Sequence, residues 1–306
     1  MALSVNLRGA LFMSIAMAGF TFNDALLKFV LPTMNLGQAV LVRGVFATAL
    51  LFLLVARQRG PLRFGALLHP SVLIRLVCEV AATITFVLAL MRLPLADVSA
   101  VLQALPLAVT LGAAFIFSEP VGWRRWLAIL GGFVGVMIVV RPGFEGFNAW
   151  SLSALVTVGF CAVRDLSTHS IPREVPTAWI SAATSLAVML CGVVLIGPFG
   201  GWSPLTLPNT AALFGSALAL VFGYQFIIKA LREGDISFMA PFRYTALLWA
   251  IALGYLLFGD VPDGPMLLGS ALIVVSGLYA LYRERVAGRQ QPIIESTEPN
   301  MAPDGL

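Results

Sequence analysis

Asp24 and Lys28 stand four residues apart, as do Asp165 and His169, and each pair lies inside a long apolar run. That spacing puts an acid and a base on one helical face, where they can neutralise each other, hold a charged solute or pass a proton. Arg164 adjoins Asp165, so the second pair could equally belong to a gate or a packing network. Arg43 and Glu79 fall near the middle of two further apolar runs. A charge at the bilayer centre costs on the order of 2.5–3.5 kcal/mol, so each is expected to be paired, cavity-facing or functional. A mutual Arg43–Glu79 ion pair is the plain expectation; a solute carboxylate on Arg43 or a proton on Glu79 are the sharper ones. Arg75, about a turn from the end of its run, is expected to snorkel towards lipid.

Ser99, Gln103, Pro106 and Thr110 share one stripe at helical spacing, and Ser237, Pro241, Tyr244, Thr245 and Trp249 form a similar one later in the chain. In lipid such stripes turn inward, and their prolines free carbonyls that a cavity can use; helix–helix packing by small and polar residues is the other reading. Packing is the reading for Gly131-x-x-x-Gly135. Arg243 lies off its stripe and is expected to brace a neighbouring helix. The candidate substrate-binding set is thus Arg43, Glu79, Thr83, Phe86, Ser99, Gln103, Pro106, Tyr224, Tyr244 and Trp249. The candidate gating or charge network is Asp24, Lys28, Arg164, Asp165 and His169. Aromatic groups at Phe20, Phe86, Tyr224, Tyr244 and Trp249 could receive an aromatic solute. Cys78, Cys161 and Cys191 lack metal or disulfide spacing, and no hydrolase or nucleotide motif with its required context occurs. No enzyme activity, cofactor, metal or nucleic-acid partner is expected, and any driving energy would come from gradients, with protons as a candidate coupling ion.

The elements that position these residues follow from composition. Of 306 residues 59% are hydrophobic and 11% charged, which excludes an ordinary soluble domain, where about 25% are charged. Breaks at Pro, Gly and charge clusters predict helices over 9–30, 36–56, 70–91, 95–117, 123–140, 149–169, 177–197, 208–231, 236–258 and 265–282. The expected fold is an all-α integral membrane protein of ten transmembrane helices. With the N-terminus inside, twelve basic residues fall on inside segments and only Arg92 and Arg141 on outside ones, so both termini are expected to be cytoplasmic. Trp123, Trp126, Trp150, Trp179 and Trp202 sit where an aromatic belt is expected. The polar tail over 283–306 is expected to be disordered.

Ala96-Asp97-Val98-Ser99 recurs as Gly234-Asp235-Ile236-Ser237 at a shift of 138, which Gly131 and Gly269 keep. Gly19-Phe20 recurs as Gly159-Phe160, and Asp24 with Lys28 as Asp165 with His169, at a shift of 140 to 141. Several ordered matches indicate duplication, and five helices per unit make the two units, 9–140 and 149–282, inverted repeats.

Phe86, Ala89, Leu90, Ala96, Ser99, Leu102, Pro106, Glu119 and the glycines Gly131, Gly132 and Gly135 resemble the repeat pattern of the drug/metabolite transporter superfamily, in its EamA-type ten-helix carriers. The resemblance covers roughly 9–282 and is greatest to the YddG-type (aromatic) amino-acid exporters. It implies a multi-pass carrier in the cell inner (plasma) membrane, exporting amino acids or related metabolites by alternating access. Carriers of S-adenosylmethionine or organic cations are the alternative, and a channel or membrane enzyme a more distant one. The second half departs from the pattern, with Tyr244 in the place of Pro106 and Asp260 in the place of the expected Glu.

Overall fold

The computed structural model describes residues 5–56, 68–117, 122–141, 148–171, 177–233 and 240–286. The first half contains α1 (Val5–Val30), α2 (Leu36–Ala56), α3 (Pro70–Arg92), α4 (Leu95–Leu102), α5 (Leu105–Ile116) and α6 (Trp123–Val140). The second contains α7 (Trp150–His169), α8 (Thr177–Ile196), α9 (Leu207–Glu233), a 3₁₀ segment (Ala240–Tyr244), α10 (Thr245–Leu253), a π turn (Gly254–Phe258) and α11 (Gly264–Val286). The described residues contain no strand. Nine of the spans among them are long and apolar enough to cross a membrane. The tenth, α7, has 20 residues and carries Arg164 and Asp165.

Local chemistry sets the ends. Pro70 occupies the first turn of α3, where its missing N–H is no loss, and the His69 ring accepts from Ser71 N–H at 3.3 Å. Leu93 is extended because Pro94 follows it, which ends α3. The single helix expected over 95–117 is in fact two. Pro106 has no N–H to give Leu102, so the helix tightens at Gln103, whose N–H reaches the Ser99 and Ala100 carbonyls, and restarts at Leu105. The single helix expected over 236–258 is divided too: a 3₁₀ stretch containing Pro241, a helix, and a π turn closed by Gly259 at φ 71°. The expected tail beginning at 283 is corrected at its start, because α11 continues through Val286. Its remaining residues, 287–306, lie outside the described ones, as do Glu119 and the repeat segment 234–237.

The principal packing partners of every helix lie in the other half: most extensively α1 with α9, α2 with α8, α6 with α11 and α3 with α7. Next come α2 with α9, α1 with α10 and α5 with α7, then α3 with α8 and α4 with α10. Exchanging each helix for its counterpart five spans away leaves this pattern unchanged. Two pairings rest on glycine. A Cβ on Gly135 would lie 2.7 Å from Gly269 O, and one on Gly269 2.6 Å from Gly135 O, so α6 and α11 cross backbone to backbone. Gly37 and Gly192 do the same for α2 and α8, at 2.8 and 2.9 Å. Lipid tails provide no hydrophobic drive between helices, so close backbone approach through small residues supplies the dispersion that holds them. The expected packing role of the Gly131–Gly135 motif is realised through Gly135. Large apolar side chains such as Ile116, Val194, Leu207 and Leu256 face outward, as they would towards lipid.

The end of the bundle holding residues 31–35 and 197–206 is tied across the halves. Gln38 Nε2 donates to Ser203 O at 2.7 Å, and Ser203 N–H returns a bond to Gln38 Oε1 at 2.8 Å. Asn209 Nδ2 donates to Thr33 Oγ1 at 2.9 Å, and Asn35 donates to the Gly201 carbonyl. At this same end Arg141 pairs with Asp263, which stands just before α11 and accepts from Met266 N–H at 2.9 Å, an N-cap geometry. The Arg141 guanidinium, followed by that backbone N–H, holds the Asp263 carboxyl below the usual carboxylate range. A depressed carboxyl stabilises the fold above its unfolded titration point, near pH 4, and the contribution is lost as pH falls through the lower native value. The side chains are 24% and 53% exposed, so solvent limits the pair to about 1 kcal/mol or less. Arg141→Ala is accordingly expected to lower the unfolding temperature slightly at pH 7, with the difference from the unaltered protein disappearing towards about pH 2. An undiminished difference at low pH would contradict this assignment.

Candidate functional site

Between the halves lies a layer of buried charge built from α1, α2, α3 and α7. It contains Arg43, Arg75 and Arg164 opposite Asp24, Glu79 and Asp165. Packing charges of opposite sign together is what makes such burial tolerable in an apolar bundle.

Arg164 is its hub. Arg164 Nη1 reaches Glu79 Oε2 at 3.1 Å, both side chains being fully buried, and Arg164 Nε and Nη2 each contact Asp165 Oδ1 at 2.8 Å. The expected Arg43–Glu79 pair is therefore corrected: Glu79 turns to α7, across the halves. Arg75 is corrected as well. It is wholly buried, donates from Nη1 to Thr168 Oγ1 at 2.7 Å, and lies in the field of Glu79, Arg164 and Asp165. Arg75 and Glu79 are one turn apart on α3, so the face that turns one of them to α7 turns the other there too.

Asp24 and Lys28 also part company. Lys28 donates to the Leu90 carbonyl at 3.2 Å and to the Leu93 carbonyl, closing the C-terminal end of α3, and stands 5.4 Å from the Phe258 ring. The carboxylates acting on it are Asp260 and Asp97, not Asp24. Asp24 instead accepts from Asn23 Nδ2 at 2.8 Å, and Ser216 Oγ donates to Asn23 Oδ1 at 2.7 Å. At the shift of 141, Asn23 and Asp24 fall on Arg164 and Asp165. The two clusters thus have one plan: a donor bonded to the next residue's acid and to the facing helix, amide and hydroxyl in one case, fully charged in the other. The side chain of His169 lies outside the described residues.

Arg43 is 2% exposed, and the groups acting on it are, in order of strength, Asp24, the Tyr224 phenol and Glu79. Its Nη1 has no hydrogen-bond partner. With Tyr224, Thr184, Ser185 and Leu51 it walls a cavity of about 30 Å³ between α2, α8 and α9. Thr48 and Ser185 share a hydrogen bond of 2.8 Å beside it, and Tyr224 packs edge-on to Phe20 with centroids 5.8 Å apart.

The candidate substrate set divides. Thr83, Phe86 and Ser99 are buried between helices, Phe86 within the main apolar cluster. Gln103 and Pro106 mark the break between α4 and α5, half-buried. Tyr244 is buried against α11, where a side chain at Gly277 would collide with its phenol. Trp249, expected to line the cavity, is 42% exposed on the outer face of α10. Arg243 lies within the electrostatic reach of Asp165. Asn23, Ser216, Thr168, Thr184 and Ser185 were not anticipated. Hydroxyls in apolar helices also bond their own backbone four residues earlier, as Thr184 does to Ile180 O, so type alone does not reveal them. Among the described residues no group of three or more His, Cys, Asp or Glu is placed to hold a metal.

Among the described residues, helices long and apolar enough to cross a membrane pack around a layer of buried charge, the architecture of a multi-pass α-helical membrane protein. Residues 7–141 match the EamA-like transporter family. A riboflavin transporter of Vibrio cholerae is 30% identical over 63% of this chain and 64% of its own length, just under two thirds of that relative. A pseudopaline exporter of Pseudomonas aeruginosa is 26% identical over 85% and 92%, and an S-adenosylmethionine uptake transporter of Rickettsia bellii 27% over 63% and 66%. A solved structure described only as "Crystal structure of protein" superposes with TM-score 0.58 at 18% identity, covering 94% of this chain and 99% of that one, which shows the fold alone. These relatives are named for chemically different solutes, and for both uptake and export, rather than for aromatic amino acids.

Proposed function

We propose that this chain is a secondary carrier of small polar metabolites, built from inverted five-helix repeats at 9–140 and 149–282 that rock about the buried charge layer. The observation that carries the reading is the cross-half pairing pattern, unchanged when the halves are exchanged, with the charge layer on its seam. Two similar halves packed in opposite senses can trade conformations and so open a central site to either side. The charge bias of the loops supports cytoplasmic termini.

Amino acids and related zwitterions are the leading solutes, because Arg43 and Tyr224 border the cavity while Asp24 lies within the field of Arg43. S-adenosylmethionine is the second reading, favoured by the uptake transporter among the relatives. Counterflow in proteoliposomes, with amino acids, S-adenosylmethionine, riboflavin and organic cations as competitors and with or without a pH gradient, decides between them. Saturable counterflow inhibited by at least one amino acid is expected. Inhibition by S-adenosylmethionine alone would transfer the assignment to the second reading, and linear uptake without counterflow would make the protein a channel.

A further inference from the structure

We propose that Arg43 is the anion-binding point of the cavity, so that the carried solutes bear a carboxylate or an equivalent pair of anionic oxygens. The inference rests on the carrier reading. Three arginines are buried in the layer, and two are committed to protein: Arg164 to Glu79 and Asp165, Arg75 to Thr168. Arg43 instead faces the cavity, nearly fully buried, with Nη1 unmatched. A buried charged donor left without an acceptor is costly, and a planar guanidinium fork matches a carboxylate in two parallel bonds.

The surrounding groups complete the subsite. Ser185 brings to the cavity wall a hydroxyl that it shares with Thr48, and Tyr224 brings its phenol from α9, so an anion on Arg43 would lie beside hydroxyl groups of the other half, while the Thr184 hydroxyl is spent on the Ile180 carbonyl. Asp24, the strongest charge acting on Arg43, is held by Asn23 and keeps the subsite from being strongly positive. With Glu79 also in the field, a monoanion is favoured over a dianion. A cavity of about 30 Å³ holds about one water, so a solute enters only when α2 and α8 part. Binding at Arg43 would thereby couple occupancy to movement of the halves.

The test uses matched acids and amides: acetate with acetamide, phenylalanine with phenylalaninamide, and benzoate with benzamide. Each is measured on the purified full-length protein as a shift in unfolding temperature and, in proteoliposomes, as competition in counterflow. At least one acid is expected to act at concentrations about tenfold or more below its amide, the value of one charge-assisted contact. Arg43→Gln should abolish that preference and Arg43→Lys retain part of it. Since Arg43→Gln removes a positive charge from beside Asp24, Arg43→Gln/Asp24→Asn removes one charge of each sign, so that its folding can be confirmed while the preference is lost. Amides equal to acids in every pair, no acid acting at all, or a preference that survives in the double variant would overturn the proposal. Acids that stabilise the protein without counterflow would sink the carrier reading and leave the subsite; counterflow indifferent to acid or amide would do the reverse.

Discussion

Arg164→Gln is expected to destabilise the protein by about 3–5 kcal/mol, the usual consequence of removing one partner from a buried ion pair. The loss is large because Arg164 serves two carboxylates at once, Glu79 on α3 and Asp165 on its own helix, with all three side chains in the sealed layer. Glutamine retains the volume and some donors but leaves two buried negative charges facing only Arg75, Arg43 and Arg243. Neutralising them should recover much of the loss: Arg164→Gln/Glu79→Gln/Asp165→Asn is expected to unfold closer to the unaltered protein than Arg164→Gln does, since replacing a whole buried charge set is often nearly neutral. Unfolding temperatures in detergent provide the check. An Arg164→Gln protein as stable as the parent would show that the α3–α7 contact does not depend on this charge.

The helix plan was largely legible in the sequence. Uninterrupted apolar runs of about 20 residues admit few other readings, and α2 and α6 begin and end where expected. Partner choice was not. Depth along a span is a one-dimensional quantity, whereas pairing depends on which helices adjoin and which way each face turns. Arg43 and Glu79 share a depth but sit on helices whose main partners are α8 and α7, so Glu79 found Arg164 instead. Arg75 looked like a snorkel from its distance to the helix end, yet its spacing of four from Glu79 was the available sign that it shares an inward face. Trp249 failed for a different reason. Trp249 follows Tyr244 by five residues along a stretch that is α-helical over Thr245–Leu253, so at about 100° per residue it lies roughly 140° round the helix from Tyr244 rather than on its stripe. Tyr244 consequently stays inside and Trp249 turns outward.

The pseudo-symmetric clusters show how two similar halves can differ in chemistry. Asn23, Asp24 and Ser216 make a largely uncharged tie between α1 and α9, while Arg164, Asp165 and Glu79 make a charged one between α7 and α3. If the halves rock about their seam, these ties are loaded in opposite phases, and the charged one resists opening more strongly in an apolar surrounding.

The second large effect concerns the tied end directly, and alternating access makes a sharp demand on it. Gln38 and Ser203 exchange two hydrogen bonds across the halves, and that end must part for solute to pass. The measurement is counterflow by Gln38→Cys/Ser203→Cys, with Cys78, Cys161 and Cys191 replaced by alanine, before and after a short cleavable thiol cross-linker. Cross-linking should abolish counterflow, and reductive cleavage should restore it. Counterflow at the full rate through a completely cross-linked protein would contradict alternating access between these two halves.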